Sequence, residues 1–274
     1  MKTENPWLYR YAIFVAFVAL IAIVVGAIVT SLERPIAANA VVSINPAFEF
    51  WHHMIGGLAV VLALGLAIWL RSEAGWIALV AGLIEGSLGF KSSSPILPIL
   101  HALFAQVFFA YIVVIAMQTS ASWKRGPEPI EDTWRPSMRS LAAAILAIVL
   151  LQTILGASYR YRTLGVIWHI MNAMLVLLLI LIVAVFLIRQ FPTHPTLRPA
   201  AVALAVITSI QVLLGFTTFM MLILFPETSL AVVITSVLHV TTGALTLGAG
   251  FALAALIRYN VRRSPVTHRS VTTS

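Results

Sequence analysis

Residues 166–188 read VIWHIMNAMLVLLLILIVAVFLI, twenty-three positions without a charged side chain. A helix needs about 20 mostly apolar residues to cross the hydrocarbon core of a bilayer. The stretch therefore predicts a transmembrane helix that carries a histidine, His169, near its start. Similar stretches recur along the chain, and the predicted spans are 11–31, 50–70, 76–90, 98–119, 139–158, 166–188, 200–224 and 229–257. The third is the weakest, because it is short and contains Glu85.

The composition supports a membrane protein. Hydrophobic residues make up 61% of the chain and charged residues 9%, against about 45–50% and 25% in soluble domains. The chain has no cysteine, which excludes disulfides, thiolate metal sites, iron–sulfur clusters and a cysteine nucleophile. Any metal must be held by histidine, methionine or carboxylate. The first apolar stretch is too long for the core of a cleavable signal peptide.

The basic residues indicate how the chain is oriented. With eight spans, both termini lie on one side, together with thirteen of the seventeen Lys and Arg residues; the four on the other side are Arg34, Lys91, Arg160 and Arg162. Loops rich in Lys and Arg stay in the cytoplasm. We therefore expect a multi-pass protein of the cell membrane with both termini cytoplasmic. The net charge of +8 is explained by this topology, and no nucleic-acid partner is expected.

Short motifs repeat between the two halves of the chain. An acidic or amide residue stands three positions before a Leu-Gly pair at Glu85, Gln152 and Gln211. Trp51-His52 and Trp168-His169 open the second and sixth spans, and Gly26-Ala27 matches Gly156-Ala157. This pattern predicts an all-α protein in which eight transmembrane helices form two repeated four-helix bundles, residues 1–137 and 138–274. The alternative is that leucine-rich bundles share such fragments by chance.

Five histidines fall within predicted spans: His52, His53, His101, His169 and His239. All belong to even-numbered spans and to the outer half of the bilayer. A haem iron takes two axial imidazoles, which facing helices of a four-helix bundle can supply. The residue four positions after each histidine is Gly or Ala, which leaves room on the same helix face for a flat macrocycle. The alternative is a structural role, with histidines hydrogen-bonding between helices.

Two carboxylates accompany these histidines. Glu49 lies three positions before His52 and on the same helix face. It is a candidate acid, base or radical-stabilising group, or else an N-terminal carboxylate favoured by the helix dipole. Glu85 corresponds to Gln152 and Gln211, so we expect a neutral, hydrogen-bonded carboxyl that serves helix packing.

Together these motifs resemble the haem A synthase family of cytochrome oxidase assembly proteins. The resemblance rests on Glu49-Phe50-Trp51-His52 followed by Gly56-Gly57-Leu58, on Leu100-His101-Ala102-Leu103, Trp168-His169 and Leu238-His239-Val240, and on the duplicated eight-span pattern. It covers essentially the whole chain.

The resemblance implies a membrane oxidoreductase that converts the C8 methyl of haem O to the formyl group of haem A. The amino-terminal half would be the catalytic site, with Glu49, His52 and His101. The carboxy-terminal half, with His169 and His239, would hold haem b, so that four histidines ligate iron. Implied partners are haem O and its supplying enzyme, an electron donor and the assembling terminal oxidase.

The chain departs from the family pattern in three places. His53 stands where family members usually have Arg, the cysteine pair is absent, and the outer-loop motif is not recognisable between Thr30 and Phe48. His53 is an alternative ligand, although the Trp-His match favours His52. Two other functions remain open: a di-haem b-type electron carrier, and a non-catalytic factor for haem handling or oxidase assembly.

Overall fold

The computed structural model describes residues 5–32, 46–89 and 94–263. The chain is almost entirely helical in these ranges. The helices are α1 Pro6–Leu32, α2 Pro46–Leu70, α3 Glu73–Leu88, α4 Ile96–Thr119, α5 Ala121–Lys124, α6 Met138–Arg160, α7 Val166–Gln190, α8 Leu197–Leu224 and α9 Leu230–Asn260. Two short strands, β1 Ile130–Asp132 and β2 Val261–Arg263, pair in parallel.

Seven helices among the described residues are long and apolar enough to cross a membrane, which leaves out α3 and α5. The chain is thus an all-α, multi-pass membrane protein, as predicted. The predicted third span is present as α3, but its 16 residues reach only about 24 Å at 1.5 Å per residue. This is less than the hydrocarbon thickness of about 30 Å. Among the described residues, seven helices are therefore candidate spans by length and composition, and α3 is shorter than all of them.

The long helices pack as two closed cycles of four. In the first cycle α1, α2, α3 and α4 each contact the next and α4 contacts α1; α6, α7, α8 and α9 do the same in the second. Each cycle encloses an apolar core, with Ala63, Leu66 and Ile112 in the first and Leu187 and Leu204 in the second. Contacts of α9 with α1 and α4, and of α4 with α6, join the two cycles.

The outward faces of the helices are strongly apolar. Val61 and Ile68 on α2, and Leu175, Leu178 and Ile182 on α7, are each more than half exposed. A contiguous apolar surface of this kind marks contact with an apolar phase. The lipid bilayer is the environment that fits these faces.

The end of the molecule formed by the carboxyl ends of α4 and α9 is closed by the segment that links the two cycles. Asp132 on β1 is buried, and its carboxylate accepts a hydrogen bond from the Met138 backbone N–H at 2.8 Å, at the start of α6. His194 is also buried and accepts a hydrogen bond from the Leu197 N–H at 3.2 Å. The segment that links the two cycles and His194 are thus packed into the fold.

Candidate functional site

Four of the five histidines within predicted spans come together in two pairs. His52 on α2 faces His101 on α4 with ring centres 5.9 Å apart and ring planes at 87°. His169 on α7 faces His239 on α9 with ring centres 6.1 Å apart and planes at 89°. Each pair joins the second and fourth helices of one cycle. We call the end of the molecule that contains both pairs the histidine end.

Each paired imidazole packs directly against a glycine that lies on the preceding helix of its cycle or, for His101, at the carboxyl end of that helix. We call these residues the seat glycines: Gly26 under His52, Gly89 under His101, Gly156 under His169 and Gly215 under His239. A Cβ atom would lie 2.8–3.1 Å from the Cε1 atom of the histidine at each of these positions. Real Cβ contacts are rarely this short, so a side chain here would push the ring out of place.

Hydrogen bonds to backbone carbonyls on the helices that carry the seat glycines also orient the rings. The Nδ1 atom of His52 donates to the Ala22 carbonyl at 3.2 Å, that of His101 to the Glu85 carbonyl at 3.0 Å, and that of His239 to the Gln211 carbonyl at 3.2 Å. Each acceptor lies four residues before the seat glycine. A carbonyl can only accept, so Nδ1 carries the hydrogen and the lone pair of Nε2 is free. This is the tautomer that a metal-binding histidine adopts when a backbone carbonyl is its outer partner.

The ring of His169 also hydrogen-bonds the backbone of the residue four positions before its seat glycine, and in addition a side-chain amide lies beside this ring. The Gln152 backbone hydrogen-bonds its ring, and the Gln152 side-chain nitrogen lies 3.1 Å from its Nδ1 atom. Asn172, one turn after His169, donates to the Gln152 side-chain oxygen at 2.8 Å. Two uncharged amides thus lie beside His169, while the Arg160 guanidinium interacts electrostatically with His239.

The first pair is accompanied by carboxylates instead. The Glu85 Oε1 atom lies 3.1 Å from the Nδ1 atom of His101. Glu49, in the first turn of α2, interacts electrostatically with His52. Sequence reasoning assigned Glu85 to helix packing and missed its contact with His101. The sequence marked Glu85 as part of the repeat before a Leu-Gly pair, but this repeat alone did not show what Glu85 contacts.

His53 differs from the four paired histidines. Its side chain is exposed, and its ring contacts the ring of His52 at 5.7 Å. His101 makes its ring contact with His52. Of the two adjacent candidates, the structure therefore brings His52 into the first pair.

The predicted notches after the histidines are found in part. A Cβ added at Gly56 or Gly57 would meet no atom within 4 Å, so this face of α2 is open next to the first pair. Gly243 instead lies against the Gln211 side chain, 3.0 Å from the position of an added Cβ. The space beside His239 is thus partly filled.

One basic residue connects the two cycles at the histidine end. The Arg160 guanidinium, at the end of α6, donates to the Ala27 carbonyl at 2.9 Å, to the Ser31 hydroxyl at 2.7 Å and to the Thr30 hydroxyl. These acceptors form the last turns of α1, next to the seat glycine Gly26. The Arg160 side chain therefore connects the second cycle to the end of α1, which carries the seat glycine of His52.

Each histidine pair offers two facing imidazoles. Among the described residues there is no group of three or more His, Asp or Glu side chains that could hold a bare metal ion. A metal–imidazole bond is about 2 Å long, so one metal between two such nitrogens separates the ring centres by about 6 Å. The two observed separations and the Nε2 lone pairs of His52, His101 and His239 fit this requirement. The Gln152 side-chain nitrogen lies 3.3 Å from the Nε2 atom of His169. No family model matches the chain, and no curated protein matches its sequence.

Proposed function

We propose that this protein is a haem A synthase-like membrane oxidoreductase that converts the C8 methyl of haem O to a formyl group during cytochrome oxidase assembly. The observation that carries the proposal is the pair of seated imidazoles in each helix cycle, two sets of axial ligands for two haems. His52 and His101 would bind haem O as substrate. His169 and His239 would bind haem b as resident cofactor.

The difference in polar residues supports this division of labour. The first pair has Glu49 and Glu85 beside it, whereas the second pair has Gln152 and Asn172. Converting a methyl to a formyl group adds one oxygen from water, or its equivalent, and releases four protons and four electrons. In this proposal Glu49 accepts protons at the mouth of the first site, and a respiratory oxidant or dioxygen takes up the electrons. Haem b supplies one-electron transfer when bound.

We further propose that α3 crosses the membrane as a short span, with the bilayer thinned around it. This makes eight transmembrane helices in two repeated four-helix bundles, residues 1–137 and 138–274. The two helix cycles with separate cores support this proposal. The distribution of basic residues favours cytoplasmic termini. Reporters inserted near Ser72 and fused after Ser274 should then be active only in the cytoplasm, and one inserted near Ser93 only outside. Activity of the Ser72 and Ser93 reporters on the same side would disprove the eight-span topology, because α3 lies between these two positions.

The function is tested by the haem profile of cells that express the protein together with a source of haem O. Chromatography and mass spectrometry should detect haem A with the wild type. Glu49→Gln keeps the size and hydrogen bonding of the side chain but removes its charge. This variant should retain haem while losing the formyl product or accumulating the hydroxylated intermediate.

Glu73→Gln is the matched control, because Glu73 is also a first-turn carboxylate but is exposed at the start of α3. It should leave haem A formation unchanged. Equal haem A from wild type and Glu49→Gln would disprove the catalytic role of Glu49. Haem B alone from the wild type would favour the electron carrier, since a carrier keeps both haems permanently bound.

A further inference from the structure

The position four residues before each seat glycine is where the two halves differ most in charge. It is occupied by Ala22, Glu85, Gln152 and Gln211. Its backbone carbonyl hydrogen-bonds the facing histidine in every case. Among the four, Glu85 alone has a carboxylate side chain. That carboxylate therefore acts on one of the four candidate ligands, His101.

The geometry brings the carboxylate to the nitrogen that does not face the metal. The His101 Nδ1–H lies between the Glu85 carbonyl oxygen at 3.0 Å and the Glu85 Oε1 atom at 3.1 Å. Both side chains are largely buried, with 21% of His101 and 15% of Glu85 exposed. Water therefore screens this interaction far less than it would at the protein surface.

A carboxylate in this position changes the ligand electronically. When a ligating histidine donates its other N–H to a carboxylate, its ligand basicity rises. A more basic imidazole stabilises the oxidised metal more than the reduced metal. At His169 the corresponding neighbour is the neutral amide of Gln152, 3.1 Å from Nδ1, which adds no negative charge.

We propose that Glu85 is ionised, in contrast to the neutral carboxyl expected from the sequence, and that as a positioning residue it lowers the reduction potential of the iron bound by His101 relative to the iron bound by His169 and His239. This inference rests on the proposed function, because it requires His101 to be an axial ligand. The inference also adds a direction of electron transfer to the proposed function. With both haems bound, the Glu85 carboxylate beside His101 would favour electron transfer from the first site to the second.

The test is a spectroelectrochemical titration of the purified full-length protein in detergent. The two haem components are assigned by their loss in His101→Ala and in His169→Ala. Glu85→Gln keeps a hydrogen-bond acceptor but removes the charge, so the midpoint potential of the first component should rise. Mutating an outer-shell partner typically lowers metal affinity or activity about 10–100-fold, and an effect at the lower end of this range is expected on the reduction equilibrium. A tenfold change in the reduction equilibrium corresponds to about 59 mV for one electron.

The reciprocal variant Gln152→Glu places a carboxylate at the equivalent position beside His169. It should lower the potential of the second component and leave the first unchanged. If Glu85→Gln fails to retain its haem, Gln152→Glu still tests whether a carboxylate lowers the potential, because this variant leaves the first half intact.

The possible results separate the two proposals. If both haems are bound and neither exchange shifts a potential, the inference about Glu85 is wrong and the proposed function stands. If the wild type binds no haem, the proposed function fails and this inference fails with it. Opposite shifts in the two variants, each confined to its own half, would establish the role of the carboxylate.

Discussion

The two halves of the molecule hold their histidine pairs in nearly the same geometry but surround them with different chemistry. Ring separations of 5.9 and 6.1 Å and near-perpendicular planes recur, and each ring rests on a glycine. The first pair has carboxylates beside it and open space next to Gly56 and Gly57, whereas the second has amides beside His169 and the Arg160 guanidinium near His239. In the proposed function, one arrangement of histidines serves both a reacting substrate and a resident cofactor, and the neighbouring side chains set the difference in chemistry.

The largest effect is expected from removing one ligand. His169→Ala should abolish the low-spin signal of the second half and leave the first haem in place, because each bis-imidazole site lies within its own helix cycle. His52→Ala should do the reverse. Haem content per protein and the optical spectrum measure both outcomes. His53→Ala is the control, since this side chain is exposed and outside the pair, and it should retain both haems.

An unchanged low-spin spectrum in the variants of both halves would show that these histidines are packing residues. Loss of both haems from either variant, with the protein still folded, would instead show that the halves do not bind independently.

The next effect concerns the connection between the halves. Arg160→Gln should lower the free energy of unfolding by about 1.5–3 kcal/mol, the range for hydrogen bonds to charged groups, because it removes the Arg160 contacts with the end of α1. Thermal unfolding in detergent measures the change. Arg162→Gln is the matched control two residues away. Its ion pair with Glu227 has side chains 62% and 40% exposed, and exposed pairs contribute about 0–1 kcal/mol.

Equal losses in the two arginine variants would contradict a specific role of Arg160 in joining the cycles. A lower midpoint in Arg160→Gln alone would sharpen the comparison, since it would show that the halves stabilise each other at the histidine end.

The smallest effect is expected at a seat glycine. Gly26→Ala places a Cβ 2.8 Å from the His52 ring, and overpacking of this kind costs about 1–3 kcal/mol. We expect weaker retention of the first haem, measured by haem loss to an external acceptor, with the second haem as internal reference. Gly86→Ala is the control, because its Cβ would meet no atom within 4 Å. Equal retention in the two variants would contradict the seating of His52.

Much of the site was predictable because its signals are local in sequence. His52, His101, His169 and His239 stand out because ionisable residues are rare and costly within apolar spans. The spacing of Glu85 and the two glutamines from Leu-Gly pairs was visible as a repeat, but its purpose was not. In the structure the repeat places a carbonyl and a glycine against an imidazole. This arrangement requires contact between two helices.

The sequence by itself determined the membrane class, the positions of the long helices and which helices carry the histidines. Apolar length and breaker residues are sufficient for this, since a helix satisfies its own backbone hydrogen bonds in lipid. Only the tertiary structure decided that His52 rather than His53 faces His101, that glycines seat the rings and that Glu85 touches His101. It also revealed the pairing of β1 with β2, strands too short to show a period. The physical reason is that the rotation and axial offset of each helix are set by side chains packing across helices, and residues 22 and 52, or 85 and 101, meet only once that packing has formed.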